Sequence, residues 1–213
     1  MTVTVAELHV ADSSEVWTQA GFTVGSDDVC RVGGVRIRLI GREHGSGIVG
    51  WSLTGLPQDA PRDLDGIPTE GCGPDPARPA THDNGVTGID HVVLMSPDLD
   101  RTVRALAAVG VAPRRERDVE LGGRPLRQIF FRLGEVILEV IGYPARPTEG
   151  PSTLWGITYV VADIDATAAF FGERTGPVKK AVQPGRRITT VRNLDFGMSV
   201  RTAMISAAYP RSS

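Results

Sequence analysis

Cysteine and lysine are nearly absent from this chain. Its 213 residues hold two cysteines, Cys30 and Cys72, and lysine occurs only at Lys179 and Lys180. Two cysteines do not make a disulfide framework, so the expectation is a reducing, cytoplasmic setting with one partly buried thiol and one in a loop. Neither sign of charge dominates: 23 Lys and Arg stand against 25 Asp and Glu, a formal net charge of −2. Without a basic stripe or an acidic tail, nucleic acid and membrane surfaces are not the expected partners. No apolar run reaches the roughly 18 residues of a membrane span. The opening MTVTVAELHV has neither the basic nor the apolar region of a signal peptide. Also missing are a GxSxG elbow, a GxxxxGK[ST] loop, a CxxC pair and an HExxH helix. The glycines near Val32–Gly34 fall in a hairpin turn, which excludes the strand-to-helix turn of a dinucleotide site. What remains is an ordinary globular composition, 41% hydrophobic and 23% charged.

The chain does contain an internal repeat. RVGGVRIRLIG (Arg31–Gly41) matches RLGEVILEVIG (Arg132–Gly142) at five of eleven positions. Each copy reads as strand, glycine turn, strand, with apolar residues at period two. A second similarity comes before each copy. VAELHVAD (Val5–Asp12), HVVLMSPD (His91–Asp98) and GITYVVAD (Gly156–Asp163) are short apolar strands ending at an Asp where a helix begins. In the middle copy Ser96 can cap the helix, with Pro97 at its first position and Asp98 on its N-terminal dipole. Leu99, Val103 and Leu106 follow at helical spacing, and Gly110 closes the helix.

The units are therefore strand, helix and three strands. Residues 1–56 hold a divergent copy (unit A, about 3–41). Residues 57–86, with six prolines and four glycines, read as a linker or long loop. Residues 87–208 form a two-module domain, unit B over 87–143 and unit C over 155–207. Gly50–Leu56 is either the remnant of a further module or an extra edge strand of unit A. The fold class is α+β, with tandem βαβββ modules curling mixed sheets around a cleft.

Paired modules of this kind, and above all GIDHVVLMSPDLDRTVRAL followed by RQIFFRLGEVILEVIG, resemble the vicinal oxygen chelate (glyoxalase-like) superfamily. The resemblance implies a small-molecule ligand in the cleft. It implies a divalent ion (Fe, Mn, Co, Ni or Zn) held by His, Gln or Glu on the first and last strands of each module. It also implies chemistry of the isomerase, epimerase or lyase type. His91 matches a first-strand ligand position and Glu139 a last-strand one. Strand parity places His91 with Val93 and Met95, and Glu139 with Ile137 and Ile141, all facing the cleft. An ungapped alignment puts Gly156 at the His91 position of unit C, with Ile205 or Ala203 at the Glu139 position. In unit A the same positions fall on Val5 and Arg38, and His9 or Glu7 could add a ligand only if A docks onto B. Two of four ligands survive, so three outcomes stay open: a metal centre on His91 and Glu139, a metal-free acid/base pair, or a relic site in a ligand-binding protein.

Other candidate ligand-binding residues are Gln128 and Arg132, which share parity on the strand beside Glu139, and Trp155 and Thr158 on the first strand of unit C. Arg187 in the run Gln183–Arg187 is a further candidate. A homodimer would cover the sheet edge that an unpaired module exposes.

Overall fold

The computed structural model describes residues 2–73 and 78–208 of the chain. Unit A comprises β1 (Thr4–Val10), α1 (Ser14–Gln19), β2 (Val29–Val32) and β3 (Val35–Leu39). Next come β4 (Ile48–Thr54), β5 (Asp63–Leu64) and β6 (Ile67–Gly71). Unit B is β7 (Val86–Met95), α2 (Leu99–Ala108), β8 (Pro113–Leu121), β9 (Arg124–Leu133) and β10 (Val136–Gly142). Unit C is β11 (Thr153–Val161), α3 (Ile164–Phe171), β12 (Lys179–Lys180), β13 (Arg187–Val191) and β14 (Arg201–Ser206). The fold is α+β, a mixed 14-stranded sheet with the order β2-β3-β1-β4-β11-β7-β10-β9-β8 along its main path.

Each unit brings its last strand back parallel to its first: β3 to β1, β10 to β7, β14 to β11. The segment after unit A does the same, since β6 runs parallel to β4 and β5 pairs with β6. Two expectations change here. Residues 57–86 are not wholly linker, because β5 and β6 lie inside them and complete a fourth, helix-less module behind β4. Unit A has one strand fewer than the expected βαβββ. Prolines are tolerated between 57 and 86 because β5 and β6 are short and β5, paired only with β6, needs few ladder bonds.

Local signals set the helix starts. Asp98 accepts from the Arg101 backbone N–H at 3.0 Å, and Asp163 accepts from those of Asp165 and Ala166 at 2.8 and 3.1 Å. The cap of α2 is thus Asp98, two residues later than the Ser96 expected; Ser96 instead bonds Thr102. Gly110, at φ +81°, takes the left-handed conformation that ends the segment after α2.

The halves interlock crosswise. Trp17 and Phe22 of unit A stack with Tyr159 of β11, the ring centroids being 4.9 and 5.2 Å apart along the chain of contacts. Asp12, fully buried, accepts from Trp17 Nε1 at 3.1 Å and from the Ser199 hydroxyl of unit C at 2.7 Å. On the other side the β5–β6 turn inserts Asp65 into unit B. Its carboxylate accepts from Ser152 Oγ at 2.6 Å and from Arg101 Nε and Thr102 Oγ1. Asp65 holds φ +57°, an uncommon conformation for a residue with a side chain, and the buried bonds offset that strain. No helix among the described residues is long and apolar enough to cross a membrane.

Replacing Asp65 by Ala leaves two hydroxyls and a guanidinium without their acceptor. Urea denaturation should show a loss of about 2–3 kcal/mol. A loss under about 0.5 kcal/mol, the level of an ordinary surface change, would show that this turn does not hold the halves together.

Candidate functional site

The site begins with irregular backbone. Where β7 runs antiparallel to β11, Thr158 pairs with His91 and Tyr159 with Ile89, so Asp90 is an extra residue with no partner. Such a bulge breaks the strict alternation of side chains. Asp90 and His91, adjacent in sequence, therefore turn to the same face. A matching bulge falls at Trp155 on β11, and the β1–β4 pairing repeats the pattern at Ala6 and Val49.

This symmetry sets the equivalences between modules. The residues just after each bulge are Glu7, Gly50, His91 and Gly156. The last-strand residues standing in the Glu139 register are Arg38, Glu70, Glu139 and Ala203. The unit C match to Gly156 stands, and Ala203 rather than Ile205 takes the Glu139 place. In unit A the His91 place belongs to Glu7, not Val5. The strand-to-helix connection is two residues shorter there, which an ungapped alignment cannot see and which leaves the strand face unchanged.

The cleft face of modules B and C is a grid of cross-strand rows. One row runs Arg115, Phe130, Glu139, Val93, Gly156, Arg201. The row beside it runs Arg132, Ile137, His91, Thr158, Ala203, Thr190. On the other side lie Arg117, Gln128, Ile141 and Met95. A cavity of about 550 Å³ lies on the opposite face, between α2 and the β8–β9 hairpin, and none of these residues borders it.

At the centre His91 stands between two carboxylates. Its Nδ1 is 2.8 Å from Asp90 Oδ2, and its Nε2 is 3.4 Å from Glu139 Oε2. The His91 and Glu139 side chains are 14% and 13% exposed, shielded yet reachable. Asp90 also pairs with the partly buried guanidinium of Arg186, which reaches across from unit C and bonds the Ser206 carbonyl at 2.7 Å. Burial works to raise the Asp90 pKa, but the His91 and Arg186 hydrogen bonds outweigh it and hold the carboxyl below its ordinary range. Glu139 Oε1 accepts from the Gln128 amide, and Gln128 Oε1 accepts in turn from Arg117 Nε at 2.5 Å.

The sequence candidates divide accordingly. His91, Glu139, Gln128 and Thr158 come together, Thr158 buried directly beside His91. Arg132 shares the face but lies exposed, its Nε on the Gly134 carbonyl at 2.8 Å. Trp155 sits at the rim, 45% exposed under Arg201. Arg187 turns outward to Asp165 at 2.8 and 2.6 Å. Its neighbour Arg186 is the one in the site, since consecutive residues entering β13 point to opposite faces. Asp90 and Arg117 are not among the sequence candidates, and Arg186 is one only as the second arginine of the run Gln183–Arg187. Nothing short of the bulge marks Asp90, because regular alternation would place it away from His91.

A divalent ion needs three or four converging donors. Here a Cβ on Gly156 would sit 2.8 Å from the Arg201 carbonyl oxygen, so that position cannot carry a ligand. The two carboxylates lie at opposite nitrogens of one ring, and among the described residues no group of three His, Cys, Asp or Glu could hold a metal. The donor set does not fit a resident metal ion. In unit A the corresponding place is filled by an ion-pair cluster around the buried Glu7. Glu7 accepts from Arg36 Nε and Arg38 Nε, both at 2.8 Å, while His9 bonds Ser52 at 3.0 Å. Burial acts to raise the Glu7 pKa and the two arginines overcome it, leaving it lowered.

No protein-family model matches the chain, and no curated protein matches it in sequence. Solved structures do. A mutant of 4-hydroxymandelate synthase from Streptomyces coelicolor is 16% identical over 100% of this chain and 94% of that one, with a TM-score of 0.65. A catechol 2,3-dioxygenase is 12% identical over 99% of this chain and 89% of that one, with a TM-score of 0.57. An extradiol ring-cleaving dioxygenase from B. fuscum is 14% identical over 98% and 72%, with a TM-score of 0.56. At these identities the likeness establishes the fold, which is the vicinal oxygen chelate fold. The match spans all four modules.

Because the Asp90 pKa is depressed by folding, its charged form stabilises the native state above the ordinary carboxylate pKa, and that contribution disappears as pH falls through the lowered value. The stability gap between the wild type and Asp90→Asn should therefore be widest near pH 7 and close below about pH 4. Urea denaturation at several pH values reads this directly, and a gap that stays constant down to pH 3 would contradict it.

Proposed function

We propose that the cleft face of modules B and C is the centre of a glyoxalase-like enzyme, an isomerase, epimerase or lyase that moves a proton beside the carbonyl of a small oxygenated metabolite. The observation that carries this reading is the His91 ring set between Asp90 and Glu139. Asp90, kept ionised by Arg186, is a fixed acceptor for the His91 Nδ1–H. That leaves Nε2 as the nitrogen that faces Glu139 and the cleft. A partly shielded carboxylate beside an imidazole is suited to general acid/base work.

The chain's own groups suffice for a balanced step. Glu139 takes the proton from the carbon next to a carbonyl, and the electrons of that C–H bond form a C=C bond. With both ring nitrogens of His91 protonated at the start, the carbonyl oxygen becomes an enol oxygen by taking the Nε2 proton, and His91 is left as the neutral ring whose Nδ1–H stays on Asp90. Returning the two protons in the opposite sense, to the other face or to the neighbouring carbon, gives an epimer or an isomer. Thr158, packed beside His91, offers a hydroxyl to the same oxygen.

A second reading, a binding protein without turnover, is favoured by the loss of both ligand positions in unit C. Proton exchange separates the two. The full chain in D2O should replace the α-proton of a member of a panel of 2-hydroxyaldehydes, 2-oxo acids and 3-oxo acids, followed by 1H NMR. His91→Gln and Glu139→Gln should each slow this by about 100-fold or more. Exchange absent from the wild type, or unchanged in both variants, would leave the binding reading in its place.

A further inference from the structure

Arg117 carries a positive charge on the cleft face that no described residue balances. Elsewhere the chain pairs its partly buried guanidinium groups: Arg186 with Asp90, Arg101 with Asp65, Arg36 and Arg38 with Glu7. Arg117 is half-buried on β8, directly across from Gln128, and no carboxylate lies within 4.0 Å of it among the described residues. Its Nε–H is spent on Gln128 Oε1 at 2.5 Å. Its plane lies 5.4 Å over the centroid of Phe130. The two Nη groups are thus held in a fixed orientation, without a partner among the described residues.

The interposed amide explains why this charge stays open. Gln128 accepts from Arg117 with its oxygen and donates to Glu139 with its nitrogen. It holds the cation and the carboxylate in one chain of hydrogen bonds while keeping them apart. Direct contact would fork the guanidinium onto Glu139, as happens to Glu7 in unit A, and would tie up the carboxylate. A half-buried guanidinium left in this way is stabilised by an anion from outside the chain.

We propose that the Nη edge of Arg117 binds the carboxylate of a small organic acid, and that this anchors the neighbouring carbon over Glu139 and His91. The binding stands by itself, whereas its catalytic use rests on the proton-transfer reading given above. The substrate class that follows is a short-chain oxo or hydroxy acid rather than a neutral ketone or sugar.

Malonate and its uncharged analogue malonamide are suitable probes, titrated into the full chain and followed by calorimetry. The wild type should bind malonate and not malonamide. Arg117→Met keeps an unbranched apolar stem but removes the guanidinium fork, and should weaken malonate about tenfold or more. Arg117→Lys retains the charge without the fork and should recover part of that loss. Unchanged malonate affinity in Arg117→Met, equal affinity for malonamide, or no malonate binding by the wild type would each overturn the proposal. Arg117-dependent malonate binding without solvent proton exchange would sustain this site and remove only the proton-transfer reading. Exchange that proceeds while malonate binding ignores Arg117 would do the reverse.

Discussion

Two antiparallel strand pairings, β1 with β4 and β7 with β11, join the modules, and the bulges within them decide which way the cleft residues point. Each pairing carries a bulge on either strand at matching positions, and β7 has a further one at Thr87. Backbone geometry of this sort does not depend on a particular side chain, so it persists while the residues around it diverge. That is why Ala6, Val49, Asp90 and Trp155 share a position and almost nothing else. At Asp90 the extra residue has a chemical consequence, because it places a carboxylate against the imidazole that follows it.

The two cleft faces show what charge placement does to one scaffold. In unit A the His91 position holds Glu7 and the Glu139 position holds Arg38, and the two collapse onto each other with Arg36 as a third member. The cluster is nearly closed: the Glu7 side chain is 7% exposed and its acceptor oxygens are occupied. In unit B the same positions carry His91 and Glu139, and Gln128 keeps Arg117 from neutralising the carboxylate. One face is thereby a structural ion pair, the other a set of polar groups still open to a ligand.

The divergent N-terminal half is part of the scaffold of the other half. Asp12 and the Trp17–Phe22–Tyr159 stack tie unit A to unit C, and Asp65 ties the helix-less module to α2 of unit B. A module that has lost a strand or a helix exposes apolar surface, and docking against a neighbour covers it. Buried Thr102, Ser152 and Asp65 satisfy one another across that contact, as buried polar groups must.

By itself the sequence determined the β-α-β rhythm, the helix starts next to Asp98 and Asp163, the hairpin that the repeat marks at β9 and β10, and the shared parity of His91 with Val93 and of Glu139 with Ile137. These follow from short-range rules: periodicity two in a strand, an acceptor at a helix start, glycine where φ is positive. Only the tertiary structure decided that β5 and β6 complete a fourth module, that Glu7 rather than Val5 occupies the His91 place, and that Asp90, Arg186 and Arg117 belong to the site. Each of these depends on register between distant strands. A bulge or a two-residue change of loop length moves that register without leaving a local mark, because the side chains it realigns are far apart in the chain.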